Sequence, residues 1–145
     1  MACPYFFPLR ARPASPTLPL GDWWQGACHA AAGEPAEPPA GGDVCCNLGY
    51  ARGQCARFPE GAGADAVRFT IAGHDSAPEG DQDGARQGAT VRIYYVAERD
   101  HRPFAHGALQ YSVATSALAG PPASPLLARQ AEAYAESYLR RKRET

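Results

Sequence analysis

Residues 91–114, VRIYYVAERDHRPFAHGALQYSVA, are the stretch that indicates the fold class of this chain of 145 residues. Its two parts, residues 91–98 and 104–114, each alternate side chains with a period of two and are rich in β-branched and aromatic residues. Such alternation is typical of β-strands that bury one face. Only the residues 99–103 separate the two parts, so the sequence predicts an antiparallel hairpin.

One strand before the hairpin and one helix after it complete the predicted C-terminal part. Residues 66–72, AVRFTIA, alternate in the same way as the hairpin strands. Near the C-terminus, Ser124 is a suitable N-cap and Pro125 suits the first helical turn. The helix that follows carries an apolar stripe at spacings of four, three and four: Leu127, Ala131, Tyr134 and Tyr138. A small sheet needs a cover on one face, and this helix can supply it.

The predicted fold is therefore α+β, in one domain over residues 1–145 with two unlike halves. Residues 64–145 form a small, about three-stranded antiparallel sheet and the C-terminal helix. Residues 1–63 contain all five cysteines, both tryptophans and most of the 14 prolines. Because proline fixes φ and donates no backbone hydrogen bond, we expect this half to be irregular.

The composition predicts a thin hydrophobic core. Alanine, glycine and proline are abundant, while leucine, isoleucine and valine are few for a chain of this length. Alanine buries little apolar area, so each buried alanine contributes little to stability. We therefore expect a further stabilising element, and the five cysteines are the candidates for it.

Charge and hydropathy favour a cytoplasmic protein without a membrane partner. The net charge is −1, and the one basic cluster is at the C-terminus: Arg140, Arg141, Lys142 and Arg143. Charges at a helix C-terminus are explained by the helix dipole, so we do not expect a nucleic-acid partner. No run of 18 apolar residues is present, and Pro4 and Pro8 interrupt the opening where a signal peptide needs a continuous apolar stretch.

The cysteines are the strongest chemical signal. Their number is odd and no secretory signal is recognised, which argues against a disulfide framework. Cys45 and Cys46 are adjacent, so one of them is predicted to be a spare, and four thiolates remain for a closed metal site. The predicted ligands are Cys3, Cys28, Cys46 and Cys55, with Cys45 as the alternative to Cys46.

The ligand spacing favours a 4Fe–4S cluster over a zinc ion. Structural zinc sites usually take two ligands from a tight Cys-x2–4-Cys turn, whereas 24, 17 and eight residues separate the four predicted ligands. A cluster is larger than an ion and is bound at its corners, so widely spaced cysteines can reach it. The first half also contains seven of the 14 aromatic residues, which could shield a cluster from water.

The predicted function is that of a small iron–sulfur protein, in electron transfer or as a structural staple, with an unknown redox or protein partner. The alternative is a zinc-stapled protein- or nucleic-acid-interaction module, with His29 as a further zinc ligand. A thiol-dependent enzyme using Cys55 or Cys45 is the third interpretation, and it is the weakest because no base or oxyanion device is recognisable. In the cluster interpretation, removing the metal would loosen the first 60 residues.

Overall fold

The computed structural model describes residues 3–12, 22–31, 34–38, 42–48, 50–61, 63–75, 88–120 and 124–144. They form six strands and two helices in the order β1 (Phe6–Arg12), β2 (Trp23–Cys28), α1 (Gly42–Leu48), β3 (Ala66–Asp75), β4 (Thr90–Arg99), β5 (Arg102–Ser112), β6 (Ala117–Ala119) and α2 (Pro125–Glu144). The strands make two antiparallel sheets, of two strands in the order β1–β2 and of four strands in the order β3–β4–β5–β6.

The predicted hairpin is present as β4 and β5. Val91 lies opposite Tyr111 and Ile93 lies opposite Leu109, so the alternating apolar side chains share one face of the sheet. The two turn residues, Asp100 and His101, both have positive φ values of 51° and 61°. A two-residue turn with both residues in this conformation matches the twist of the strands, which explains the tight connection.

The prediction of a three-stranded sheet in an α+β fold is wrong, because the structure is dominated by its two sheets and the larger one has a fourth strand. Strand β6 is only three residues long and pairs with the end of β5, with Leu118 opposite Tyr111. An alternation over Ala117–Ala119 is too short and too rich in alanine to be recognised as a strand.

The prediction of an irregular first half is also wrong, because β1 and β2 pair there. Pro8 lies within β1, where the pairing register shifts between Pro8 and Arg10. A proline is tolerated at such an irregularity because no regular ladder bond requires its missing N–H. Gly26 of β2 permits the close approach of the two strands, since a Cβ atom there would lie 2.1 Å from the backbone oxygen of Phe7.

Helix α2 packs against the core of the four-stranded sheet. Its N-cap is confirmed, since the backbone N of Leu127 donates to Oγ of Ser124 at 3.3 Å. Ala131 and Ala135 are fully buried in the core that β4 and β5 form, and tyrosines of the predicted stripe pack against the same core. Among the described residues, these partly buried members are Tyr134 and Tyr138.

A second face of α2 contacts the two-stranded sheet. Nε of Arg129 donates to the backbone oxygen of Pro8 at 2.7 Å, and its guanidinium lies over the ring of Trp24. Nε1 of Trp24 donates to Oγ of Ser137 at 3.2 Å. Helix α2 therefore joins the two sheets. Neither helix in the described part of the chain is long and apolar enough to cross a membrane.

Candidate functional site

All five cysteines of the chain line one cavity beside the two-stranded sheet. They come from four separate segments: the residues before β1, the end of β2, helix α1 and the turns that follow α1. The cavity is small, with a volume of about 10 Å³, which is close to the room that one water molecule needs. The thiols lining it are those of Cys3, Cys28, Cys45, Cys46 and Cys55.

Backbone hydrogen bonds hold the first segment against helix α1. The N–H of Cys3 donates to the backbone oxygen of Cys46 at 3.0 Å, and the N–H of Phe6 donates to the oxygen of Cys3 at 3.1 Å. Cys28 is fixed from the other side, because it exchanges two backbone hydrogen bonds with Ala36 at 2.7 and 3.0 Å. Backbone hydrogen bonds thus fix the positions of Cys3 and Cys28 at the cavity.

Helix α1 and the following turns supply the other three thiols. Cys45 and Cys46 lie on α1, which Asn47 ties to β2 by two hydrogen bonds with the backbone of Trp24, at 2.9 and 3.1 Å. The N–H of Cys55 donates to the oxygen of Ala51 at 2.7 Å, which closes a turn and directs this residue back toward the cavity.

Gln130 connects the cysteine region to α2. Its Nε2 donates to the backbone oxygens of Cys3 and Phe6, at 2.8 and 2.7 Å, and the residue is buried. This residue is not among those predicted from the sequence. The sequence does contain one signal for it. Gln130 directly precedes Ala131 of the apolar stripe, so it lies at the edge of the helix face that packs on other elements.

A hydrogen bond and an ion pair hold the turns around Cys55 against the four-stranded sheet. The hydroxyl of Tyr50 donates to the Glu98 carboxylate, which also accepts from Nε of Arg68 at 2.5 Å. Both hydrogen bonds lower the pKa of Glu98, and the bond between Tyr50 and Glu98 raises the pKa of Tyr50. These residues are also absent from the sequence predictions, because the pairs join positions far apart in the chain.

The ion pair joins Arg52 to Asp65. Nε of Arg52 donates to Oδ1 of Asp65 at 2.5 Å, and the backbone N–H of Asp100 donates to Oδ2 at 2.8 Å. The bond from Asp100 is the main cause that lowers the pKa of Asp65. The guanidinium of Arg52 also lies 5.0 Å from the ring centre of Phe58, so Arg52 joins this carboxylate to the wall of the cavity.

Burial raises the pKa of two of the thiols above the ordinary value of 9.0. Loss of solvent around the thiolate form raises the pKa of Cys3 to about 11 and that of Cys46 to about 12. The nearby thiols of Cys28, Cys55 and Cys45 add to both increases, because a second negative charge would be close. A thiophilic metal bound here would therefore have to displace protons.

The rest of the cavity wall is aromatic and carries one positive charge. Tyr5 and Phe58 meet edge to face with ring centres 5.5 Å apart, and Phe6 is buried beside them. Arg57 is the charged residue of the wall; among the described residues, no aspartate or glutamate lines the cavity. This lining suits a negatively charged group bound through sulfur.

The structure brings the four predicted ligands and their alternative to one place, but it turns His29 away. The ring of His29 stacks on Phe7 with centres 5.4 Å apart, and His29 does not line the cavity. Within the described ranges, no three His, Cys, Asp or Glu side chains form a group that could hold a metal ion. The five thiols therefore share a cavity without forming an ion-binding group.

Comparisons with known proteins do not add to this picture. No family model, no curated protein and no solved structure matches the chain.

Part of the basic C-terminal cluster is engaged within the protein. Arg140 forms an ion pair with Asp22, whose carboxylate also accepts from Oγ of Ser137 at 3.0 Å. Nζ of Lys142 lies 2.9 Å from Nδ1 of His74, and burial and this lysine lower the pKa of His74. Arg140 and Lys142 thus have contacts within the chain.

Proposed function

We propose that the protein binds a 4Fe–4S cluster through cysteine thiolates at the cavity between β1, β2, α1 and the turns around Cys55. The observation that carries the proposal is that all five cysteines, from four separate segments, line this one cavity. Thiols so far apart in sequence have no local reason to converge. Sulfur ligands select thiophilic metals, among which are zinc, copper(I) and iron–sulfur clusters.

The wall of the cavity supports an occupant that is anionic and shielded from water. A cluster with four thiolates carries negative charge, and the guanidinium of Arg57 can offset part of it. The rings of Tyr5, Phe6 and Phe58 would restrict the access of water, which is one determinant of cluster potential. The donors are all sulfur, since His29 packs elsewhere; a zinc site would therefore also have to be an all-cysteine site.

Binding requires the cysteine segments to move. The cavity has room for about one water molecule, and the thiols do not form a metal-holding group as they stand. We therefore expect the segments that carry Cys3, Cys28 and Cys55 to rearrange around a cluster. The four-stranded sheet contributes no cysteine, so we expect it to keep its structure.

The test is anaerobic purification followed by visible absorbance and analysis of iron, zinc and sulfide in one sample. We expect a brown protein with about four iron and four sulfide per chain. Cys→Ser changes at Cys3, Cys28 and Cys55 should each abolish the cluster. Because Cys45 and Cys46 both line the cavity, each single change there should leave iron bound, and the double change should remove it.

Three outcomes contradict the proposal. A colourless protein with one zinc per chain would establish the zinc alternative. A folded, metal-free protein that takes up neither iron with sulfide nor zinc would overturn both metal interpretations. Iron that persists after the double change at Cys45 and Cys46 would show that these cysteines are not its ligands.

A further inference from the structure

Cys3 and Cys46 are joined directly by the backbone. The N–H of Cys3 donates to the backbone oxygen of Cys46 at 3.0 Å, and among the described residues no other backbone hydrogen bond links two cysteines. A hydrogen bond between two backbones, as in a β-ladder, places the Cα atoms of its residues roughly 5–6 Å apart. This separation lies within the range of about 4.4–6.8 Å that a disulfide bond spans. The backbone therefore already holds this pair at a distance that suits a disulfide.

The side chains of this pair lie at the same cavity and are shielded from solvent. Both residues line the cavity, so their side chains are directed toward one place, which a disulfide also requires. Cys3 and Cys46 each have an exposed fraction of 7%, and both belong to the buried cluster that contains Phe6 and Ala51. Metal binding requires whole segments to rearrange, whereas a bond between these two sulfurs requires only a local adjustment.

We propose that Cys3 and Cys46 form a disulfide when the metal-free protein meets hydrogen peroxide, and that this bond closes the cysteine site to metal. The disulfide itself does not depend on the proposed function. The closing of the site rests on the proposed function and deepens it, because oxidation then regulates the same thiols. The disulfide leaves Cys28, Cys45 and Cys55 as thiols, one fewer than a site of four thiolates needs.

The reaction consumes one molecule of hydrogen peroxide for each disulfide. The sulfur of one cysteine attacks an oxygen of the peroxide, the O–O bond breaks, and the departing hydroxide leaves with the thiol proton as water, which gives a sulfenic acid. The second sulfur then attacks the first, the S–O bond breaks, and the hydroxide again leaves with a thiol proton as water. The two sulfurs together lose two electrons and two protons. Because both residues are buried, we expect the reaction to take minutes to hours.

The experiment treats the reduced, metal-free protein with hydrogen peroxide and maps the disulfides by mass spectrometry after digestion with trypsin under non-reducing conditions. Cleavage after arginine leaves Cys3 as the only cysteine of residues 1–10 and places Cys46 in residues 11–52, while Cys55 lies on a third peptide. We expect the first peptide to be joined to the second. Fragmentation of the joined peptides should assign the bond to Cys46.

Matched substitutions on α1 assign the bond independently. Cys46→Ser should leave the Cys3 peptide unlinked. Cys45→Ser changes the neighbouring, partly exposed cysteine, and it should form the link as the wild type does. Circular dichroism of each reduced variant checks that it is folded, and the fragmentation pattern of the wild type assigns the bond without either variant.

The closing of the site is tested on the wild type alone. Oxidised and reduced samples are each incubated anaerobically with iron and sulfide, and in parallel with zinc, and the bound metal is measured after gel filtration. The oxidised protein should bind at least about tenfold less metal than the reduced protein, because only three thiols remain. Reduction of the oxidised sample with dithiothreitol should restore the uptake of metal.

The outcomes separate this proposal from the proposed function. A Cys3 thiol that stays reduced, or that is joined to any cysteine other than Cys46, overturns the disulfide. Equal uptake of metal by the oxidised and reduced proteins overturns the closing of the site and leaves the disulfide in place. A reduced protein that takes up no metal, although the disulfide forms, overturns the proposed function together with the closing of the site.

Discussion

The two sheets of this protein are stabilised by different chemistry. Around the four-stranded sheet, the largest fully buried side chains of the described residues are those of Val91 and Ile93, which pack on alanines of α2. Around the two-stranded sheet, the buried residues include two cysteines, Cys3 and Cys46. The first region depends on apolar area, while the second combines thiols with hydrogen bonds. A short strand pair can thus be held in place where few aliphatic side chains are available.

The largest expected effect is the loss of an aliphatic side chain from the first region. Ile93→Ala should lower the free energy of unfolding by about 3 kcal/mol, because Ile93 is fully buried and its removal leaves a cavity. Urea unfolding followed by circular dichroism measures the change. Tyr94→Thr on the same strand is the control, since Tyr94 is 51% exposed, and it should cost less than about 1 kcal/mol. Equal losses in the two variants would refute the contrast between the faces of this sheet.

An intermediate loss of stability is expected when Gln130, which joins the two regions, is replaced. Gln130→Leu removes the donor to the oxygens of Cys3 and Phe6, and the loss of these two buried hydrogen bonds should lower the free energy of unfolding by about 1–3 kcal/mol. Hydrogen exchange should speed up in β1 and β2 and stay unchanged in β4. Gln110→Leu, at an exposed position of β5, is the matched control. Faster exchange throughout the sheet would show that Gln130 supports the whole fold instead.

The smallest expected effect is a pH dependence of the free energy of unfolding, which buried thiols cause and ordinary apolar residues do not. In the metal-free protein, folding raises the pKa of Cys46 from 9.0 to about 12. The contribution of this thiol to the free energy of unfolding is therefore fully present below pH 9 and is lost as the pH rises toward 12. At a pH of about 10 the loss should be about 1 kcal/mol. Urea unfolding at pH 8 and 10 measures it, and Cys46→Ala should reduce the pH dependence. An unchanged pH dependence in that variant would contradict the burial of this thiol.

The parts of the fold that follow local patterns could be predicted from the sequence. The β4–β5 hairpin follows from alternation in residues 91–114, and the start of α2 follows from Ser124 and Pro125. The fourth strand and the β1–β2 pair could not be predicted. Ala117–Ala119 is stabilised by its neighbour β5 rather than by its own pattern, and β1 tolerates Pro8 because its pairing register shifts beside this residue.

The candidate site, like the fold, could be predicted only in part from the sequence. The sequence predicts that four of the cysteines share one site, from their number and from the absence of a disulfide context, whereas all five line one cavity. The choice between Cys45 and Cys46 was not available from the sequence, since both face the cavity from one helix. The supports of the site were also not visible, because Gln130 and the Tyr50–Glu98 pair act across 127, 124 and 48 positions of the chain.

The two contact faces of α2 have a consequence for how the molecule melts. One helix packs on the core of the larger sheet through Ala131 and Ala135, and it binds the backbone of the smaller sheet through Arg129 and Gln130. Neither sheet can separate without uncovering part of this helix. Thermal unfolding should therefore be cooperative, with far-ultraviolet circular dichroism and tryptophan fluorescence reporting one shared midpoint, although Trp23 and Trp24 lie only on the smaller sheet.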